Sequence, residues 1–239
     1  MSQATNVEIR KDLQGFVTKP KSKGASPGVI VIMEAYGLTG HVQGACRRLA
    51  DAGYTALAPD FFHGEVIPYT DAPAAMAKVA TLKDTVMLDE ISAGLDWLDA
   101  ESGKPGKNGI IGFCMGGRLA FLANCRFPAR LQAAVGFYGG AIAPESTGPD
   151  KFGRTPPIGE AGSMQAPIYL GYGADDQGIP PAEHARVAGL LSAAKKRYTL
   201  AVYPGAAHAF LCEERANYAP TAAALAWRDI IDFLAAQLA

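Results

Sequence analysis

The sequence has few cysteines and no excess of charge of either sign. Four cysteines occur among 239 residues, and their spacing matches no metal-binding motif, so we expect no metal site. The formal net charge is −1 at pH 7, without a basic run, which argues against a nucleic-acid partner. No apolar run is long enough to cross a bilayer, so no membrane association is predicted.

The first residues also lack the pattern of an export signal. Residues 1–12 contain no basic segment followed by an apolar one, which is the arrangement of a secretory signal peptide. Without export, the four cysteines are expected to be reduced thiols in the cytoplasm, although their number would also allow two disulfides. We expect the protein to be a monomer or a weak homodimer.

What the chain does contain is a series of short apolar runs. Hydrophobic residues make up 49% of it, and runs without alternation are typical of strands buried on both faces of a parallel sheet. Such runs alternate with amphipathic stretches, which predicts one α/β domain over residues 1–239 with a mostly parallel central sheet and helices on both faces. An edge hairpin is predicted over residues 6–18. Residues 141–165 have no clear periodicity and are predicted to form a functional or mobile loop.

Two helices can be assigned from the spacing of their apolar residues. The stretch 85–100 places one apolar residue on the same face at each turn, and residues 221–238 do the same. The side chains expected to face the core are Met87, Ile91, Leu95 and Leu98 in the first, and Trp227, Ile230, Ile231, Leu234 and Leu238 in the second.

The most informative stretch is Gly-Phe-Cys-Met-Gly-Gly at residues 112–117. It follows an apolar run and leads into a helical pattern, so Cys114 is predicted on a sharp turn between a strand and a helix. This is the spacing of a nucleophile elbow, in which flanking glycines let strand and helix approach closely. The first backbone N–H groups of the helix, from Met115 on, would face an oxyanion formed beside the sulfur. The alternative is that Cys114 is a buried, inert thiol.

Other reactive side chains also follow predicted strands. In parallel sheets ligands bind at the carboxyl ends of the strands, and Glu34, Asp60, the Asp175-Asp176 pair and His208 all lie there. A thiol nucleophile needs a base, and a base needs a carboxylate to orient it. His208, in a loop of small residues, is predicted as the base, with Asp176 as its orienting carboxylate.

The remaining histidines are weaker candidates for a base. His41 and His184 lie in helical stretches and are predicted at the surface, and nothing around His63 marks it as a base. Each chosen residue has a structural alternative, because Asp176 could cap the following helix and His208 could be an ordinary loop residue. The chain order of nucleophile, acid and base nevertheless matches that of α/β-hydrolases.

Over nearly its full length the chain resembles the dienelactone hydrolase family of α/β-hydrolases. The matching stretches are residues 32–37, 112–117, 173–176 with Ile179 and Pro180, and 203–210. The resemblance implies Cys114 as nucleophile, His208 as base and Asp176 as its orienter, since Pro180 follows Asp176 at the family's spacing. It implies an oxyanion hole formed by the N–H groups of Ala35 and Met115, and a Glu34 that holds the resting thiol.

The chain departs from dienelactone hydrolases where those enzymes hold the substrate carboxylate with two arginines. One arginine is expected between about residues 65 and 85, where this chain has only Lys78 and Lys83, and the other is replaced by Cys212. Arg215 or a lysine could substitute, but a lysine does not reproduce a bidentate guanidinium. Dienelactone itself is therefore not the expected substrate.

Together these features predict a hydrolase without a cofactor that cleaves small activated esters or lactones through Cys114. Substrate contacts are predicted for Tyr36, Tyr138 and Phe210. A different class, a catalytically weak ligand-binding or sensor protein on the same scaffold, remains open because fold alone does not confer activity. A thiol redox protein is a third alternative, and it would require Cys212 to approach Cys114.

Overall fold

The computed structural model describes residues 3–22, 24–146 and 148–239. Its strands are β1 (Gln3–Arg10), β2 (Leu13–Lys19), β3 (Ser26–Ile32), β4 (Thr55–Pro59), β5 (Gly103–Phe113), β6 (Leu131–Phe137), β7 (Ile168–Gly173) and β8 (Tyr198–Tyr203). Its α-helices are α1 (Gly40–Asp51), α2 (Ala72–Thr81), α3 (Asp84–Glu101), α4 (Met115–Arg126), α5 (Pro181–Ala193) and α6 (Pro220–Leu238).

The strands form one sheet in the order β1-β2-β4-β3-β5-β6-β7-β8. β1 and β2 form the predicted antiparallel hairpin, and β2 joins β4 antiparallel, whereas every pair from β4 to β8 is parallel. The mostly parallel sheet of the prediction is therefore confirmed. Val29 to Ile32 of β3 are completely buried, as expected for a central strand covered on both sides.

Helices cover both faces of this sheet, as the helix side chains packed against two of its glycines show. A side chain at Gly28 would meet Leu98 of α3, while one at Gly109 would meet Leu238 of α6. Gly28 lies opposite Asn108 in the register of β3 and β5, so it lies on the other face from Gly109, because neighbours along a strand point to opposite faces.

The set of residues predicted to face the core is confirmed for α3 and only partly for α6. Met87, Ile91, Leu95 and Leu98 are all buried. In α6, Ile230, Leu234 and Leu238 are buried, but Trp227 and Ile231 are only half-buried. The Trp227 ring instead lies under the guanidinium of Arg48, 5.5 Å from its centroid, so it shields part of the surface of α1.

The prediction that His41 and His184 lie at the surface is wrong. His41 is 8% exposed and packs edge-on against Phe113 at 5.0 Å, and burial, with Arg48 and Arg215, lowers its pKa to about 4. His184 stacks on Tyr172 at 4.1 Å, and burial lowers its pKa too. Both are therefore neutral core residues of their helices at pH 7.

The segment predicted as a long loop contains a short 3₁₀-helix at Pro157–Ser163. Thr147, within that segment, lies outside the described residues. Among the described residues, no helix is both long and apolar enough to cross a membrane.

Candidate active site

Cys114 lies on the turn between β5 and α4, at the carboxyl edge of the sheet. Its φ and ψ of 55° and −117° are sparsely populated for a residue with a side chain. The turn is held by the N–H of Cys114, which donates to the carbonyl of Phe137 at 3.0 Å. Cys114 is half-buried, so a ligand at this edge of the sheet can reach its sulfur.

The glycines around Cys114 are required by packing. A Cβ on Gly112 would overlap the carbonyl of Gly116, and one on Gly116 would lie 2.6 Å from the carbonyl of Ile32. A Cβ on Gly117 would lie 2.6 Å from the carbonyl of Phe137. The start of α4 is thus pressed against β3 and β6, which directs its free N–H groups at the region around the sulfur.

His208 and Asp176 meet at the same edge from two different loops. Asp176 follows β7 and His208 follows β8, and His208 Nδ1 lies 2.7 Å from Asp176 Oδ2. The other carboxylate oxygen of Asp176 accepts the N–H of Gly178 at 2.8 Å, and the side chain is completely buried. A carboxylate fixed on Nδ1 leaves Nε2 of the imidazole available for proton transfer.

The charges around this pair favour an ionised imidazole and carboxylate. Burial lowers the pKa of His208, but an ionised Cys114 sulfur and the Asp176 carboxylate outweigh that effect and raise it to about 10. Burial raises the pKa of Asp176, but the hydrogen bond with His208 and the N–H groups of Gly178 and Ile179 bring it below its usual value. A base held in this way can store the proton of a thiol.

Glu34 follows β3 and is buried behind the same edge. It is 2% exposed, and neither of its carboxylate oxygens has a hydrogen-bond partner among the residues that the structure describes. The Tyr138 hydroxyl lies near enough to influence Glu34, but not in hydrogen-bond geometry. Burial raises the pKa of Glu34, opposed by the positive charges of Arg215 and His208. Glu34 is thus a titratable carboxyl group buried close to His208.

A cavity of about 470 Å³ opens over Cys114 and His208. Ala35, Met115 and Tyr138 lie on the wall of the same cavity. The rest of the wall is largely apolar, with contributions from Met76, Val79, Phe152 and Ile179. The cavity can therefore hold a small organic molecule against the thiol.

Residues 13–238 match the model of the dienelactone hydrolase family. The chain belongs to the dienelactone hydrolase family. It is 32% identical over 228 residues to a Salmonella typhimurium protein named "Putative carboxymethylenebutenolidase", covering 94% of this chain and 83% of that one. It is also 32% identical over 232 residues to a Bradyrhizobium protein named "Probable 2-oxo-3-(5-oxofuran-2-ylidene)propanoate lactonase", covering 96% and 90% of the two chains.

A solved structure shares the whole fold. The structure titled "Putative Dienelactone Hydrolase" from Klebsiella pneumoniae superposes with a TM-score of 0.89 at 30% identity, covering 98% of this chain and 99% of that one. The fold is therefore the α/β-hydrolase fold of this family, and the protein is a hydrolase of the family.

The cations considered as substitutes for the two expected arginines lie away from the catalytic cavity. The proposed substitutes Lys78, Lys83 and Arg215 do not line the catalytic cavity. Lys78 pairs with Glu65 at 2.6 Å, and Arg215 lies over the rings of Tyr36 and Tyr69 at 5.4 and 5.7 Å. None of these cations is positioned to hold a substrate carboxylate against Cys114.

Sequence reasoning missed two arginines that do line the cavity, Arg118 and Arg154. Both are buried, and Arg118 binds the carboxylate of Asp84 through Nη1 at 2.9 and 3.0 Å. Arg118 directly follows the stretch at residues 112–117, so the sequence could have indicated that it lies near Cys114. Its partner Asp84, however, is 34 residues away along the chain. No local pattern in the sequence reveals such a pair.

Of the predicted substrate contacts, Tyr138 lies on the cavity wall, whereas Tyr36 and Phe210 do not. Tyr36 packs against Tyr69 at 4.8 Å, and the completely buried Phe210 packs against Tyr138 at 5.7 Å. Phe210 therefore supports the wall from behind through Tyr138, whereas Tyr36 packs away from it.

The other reactive residues at strand ends have structural roles. Asp60 accepts the N–H groups of Phe62 and Gly64 and so closes a turn. His63 faces Glu90 at 3.3 Å, away from Cys114. All four cysteines are unpaired. Cys212, which the redox alternative requires, is completely buried and its thiol donates to the Tyr69 hydroxyl at 3.4 Å.

No three His, Cys, Asp or Glu side chains come together as metal ligands would within the part of the chain that the structure describes.

Proposed function

We propose that this family member is a cysteine hydrolase that cleaves small activated carboxylic esters or lactones through a thioester acyl-enzyme. The observation that carries the proposal is the 2.7 Å contact between His208 and Asp176 beside a strained, half-buried Cys114. A base oriented by a carboxylate and placed against a thiol is the arrangement that nucleophilic catalysis requires. The names of the relatives support a lactone or ester as substrate.

In the first half of the reaction, the sulfur of Cys114 attacks the acyl carbon. His208 takes up the thiol proton, and Asp176 stabilises the imidazolium. The carbonyl oxygen becomes negative and accepts hydrogen bonds from the N–H groups of Ala35 and Met115. Met115 is the first residue of α4, so its N–H has no partner within the helix and the positive end of the helix dipole adds to the stabilisation.

In the second half, the acyl group leaves the sulfur as a carboxylic acid. The imidazolium of His208 first donates its proton to the departing alkoxide, and then His208 takes a proton from a water molecule that attacks the thioester. The thiolate departs and is reprotonated by His208. Because a thiolate is a better leaving group than an amine anion, esters and lactones are expected substrates and amides are not.

We further propose that Glu34 holds the resting thiol and gives it up to His208 when substrate enters. Glu34→Gln should slow p-nitrophenyl acetate hydrolysis roughly tenfold, because the thiol is then no longer held in position for attack. The variant should also make Cys114 react faster with iodoacetamide, because a buried carboxylate opposes formation of the neighbouring thiolate. Steady-state kinetics and alkylation rates at pH 7 measure the two effects.

The matched control is Glu214→Gln, an exposed glutamate close enough to influence the pKa of Glu34. It should change both rates much less than Glu34→Gln does. If Glu34→Gln slows hydrolysis and alkylation equally, Glu34 only supports the fold of the site.

The substrate class can be tested with a panel of esters and lactones, each offered with and without a carboxylate, against the wild type and Cys114→Ala. We expect turnover of small uncharged activated esters that depends on Cys114. A protein that hydrolyses only one equivalent and then stops would be a binding or sensor protein, and the proposal would be wrong.

A further inference from the structure

Two residues separate the catalytic cavity from a second cavity of similar size. The second cavity has a volume of about 480 Å³ and lies between the end of α2, the start of α3 and α4. Phe152 and Arg154 line both cavities. We call this pair the partition.

The partition is anchored by hydrogen bonds to α2. Arg154, 8% exposed, donates through Nη2 to the carbonyls of Val79 and Leu82 at 2.6 and 3.3 Å. Its Nε lies 3.8 Å from Asp84, the residue that also binds Arg118 of α4. The guanidinium therefore cannot move without breaking its contacts to α2 and α3.

Phe152 rests on this anchor. Arg154 Cζ lies 5.0 Å from the centroid of the Phe152 ring, a cation–π distance. Asp150 Oδ1 accepts the N–H groups of both Phe152 and Arg154, at 2.8 and 2.9 Å, which fixes the turn that presents the ring. The ring is thus held between the cavities by packing and is not a loose surface side chain.

The second cavity is lined by both apolar and charged side chains, and its apolar part has room for an alkyl chain. Leu82, Leu88 and Leu122 line it, and Lys83, Arg126 and Glu160 stand around them. Because Phe152 and Arg154 line both cavities, a chain extending from an ester bound at Cys114 towards these leucines would meet the Phe152 ring.

We propose that Phe152, braced by Arg154, is a specificity-determining residue that limits the length of the substrate's alkyl group. In the wild type the partition confines the substrate to the catalytic cavity and so selects short esters. Removing the ring would join the two cavities and admit a medium-length alkyl chain. This inference rests on the proposed function, since it assumes that the ester binds over Cys114.

The test compares Phe152→Ala with the wild type on p-nitrophenyl esters from acetate to octanoate and on alkyl acetates from methyl to octyl. The ratio of kcat/KM for the longest to the shortest ester should rise at least about tenfold in one series, which corresponds to burial of about two methylene groups. Phe152→Leu, a milder change if the alanine variant folds poorly, should give a smaller rise. Ratios within about twofold of the wild type in both series would overturn the proposal.

Phe127→Ala is the matched control, because Phe127 is half-buried at the end of α4 and lines neither cavity. It should leave the ratios unchanged even if it lowers the melting temperature.

A binding measurement separates this inference from the proposed function. In the Cys114→Ala background, calorimetry with alkyl methyl ketones from 2-pentanone to 2-decanone should show that Phe152→Ala selectively tightens binding of the longer ketones. That gain supports the partition even if ester turnover does not depend on Cys114. Equal affinities with and without the ring would contradict the partition while leaving the catalytic proposal intact.

Discussion

Replacement of Cys114 by alanine is expected to lower kcat/KM for p-nitrophenyl acetate by at least about 10⁴-fold, the scale seen when a nucleophile is removed from a catalytic triad. The reason is that His208 and Asp176 then have no thiol to activate, and water must attack the ester unaided. The fold should survive, because the strained turn at residue 114 is held by backbone contacts and close glycine packing. Steady-state kinetics and a melting curve measure the two effects.

Cys125→Ala is the control for this variant. Cys125 lies on the same helix, α4, and is 3% exposed, but it does not line the catalytic cavity. Its replacement should leave hydrolysis unchanged. Retention of most of the activity in Cys114→Ala would rule out the assigned nucleophile.

Asp176→Asn should lower kcat by about 10³- to 10⁴-fold, as the same change does in Ser-His-Asp triads. An amide cannot stabilise the imidazolium, and it can hold His208 in the wrong tautomer. Asp175→Asn is the matched control, because Asp175 is the exposed neighbour of the buried Asp176. A similar loss in both variants would show that the loop, and not the carboxylate on Nδ1, is what matters.

The same pair predicts how stability depends on pH. The pKa of Asp176 is lowered on folding, so its contribution is present above about pH 4 and is lost as pH falls through the lowered value. The pKa of His208 is raised to about 10, so its contribution is complete below about pH 6.5 and is lost as pH rises towards that value.

The free energy of unfolding of the wild type should therefore exceed that of Asp176→Asn most between about pH 4 and 6.5. Urea unfolding at pH 5.5 and at pH 10 measures the difference, which should shrink at the higher pH. A difference that does not change with pH would mean that Asp176 acts only through packing.

The sequence was sufficient to predict the framework of the site because local rules determine it. The glycines around Cys114 leave few alternatives to a strand–turn–helix, since a side chain at Gly112 or Gly116 has no room. Parallel strands end at one edge, so residues that follow β7 and β8 must lie close together. The contact between His208 and Asp176 follows from that topology.

What the sequence could not predict depends on contacts between distant segments. Arg118 and Asp84 bind each other across 34 positions, and the cavity wall at Phe152 and Arg154 comes from a segment without periodicity. The direction in which a side chain points at the end of a strand cannot be predicted from the sequence either. Phe210 follows Ala209, whose φ of 61° turns the chain, and the ring points into the core instead of the cavity.

The buried histidines show a related limit. His41 and His184 lie on helices whose apolar residues are mostly small, so the helical pattern does not reveal that these rings complete the core. Their partners, Phe113 and Tyr172, are on β5 and β7. Only the packing of helix on sheet identifies such positions.

The most direct test is to determine which side chain carries the acyl group during turnover. The protein is mixed with p-nitrophenyl acetate, quenched in acid within the first turnover, digested and analysed by mass spectrometry. We expect an acetyl group on the peptide that contains Cys114, removed by hydroxylamine as a thioester should be, and absent from Cys114→Ala. An acetyl group on a different side chain, or continued turnover with none on Cys114, would contradict the account.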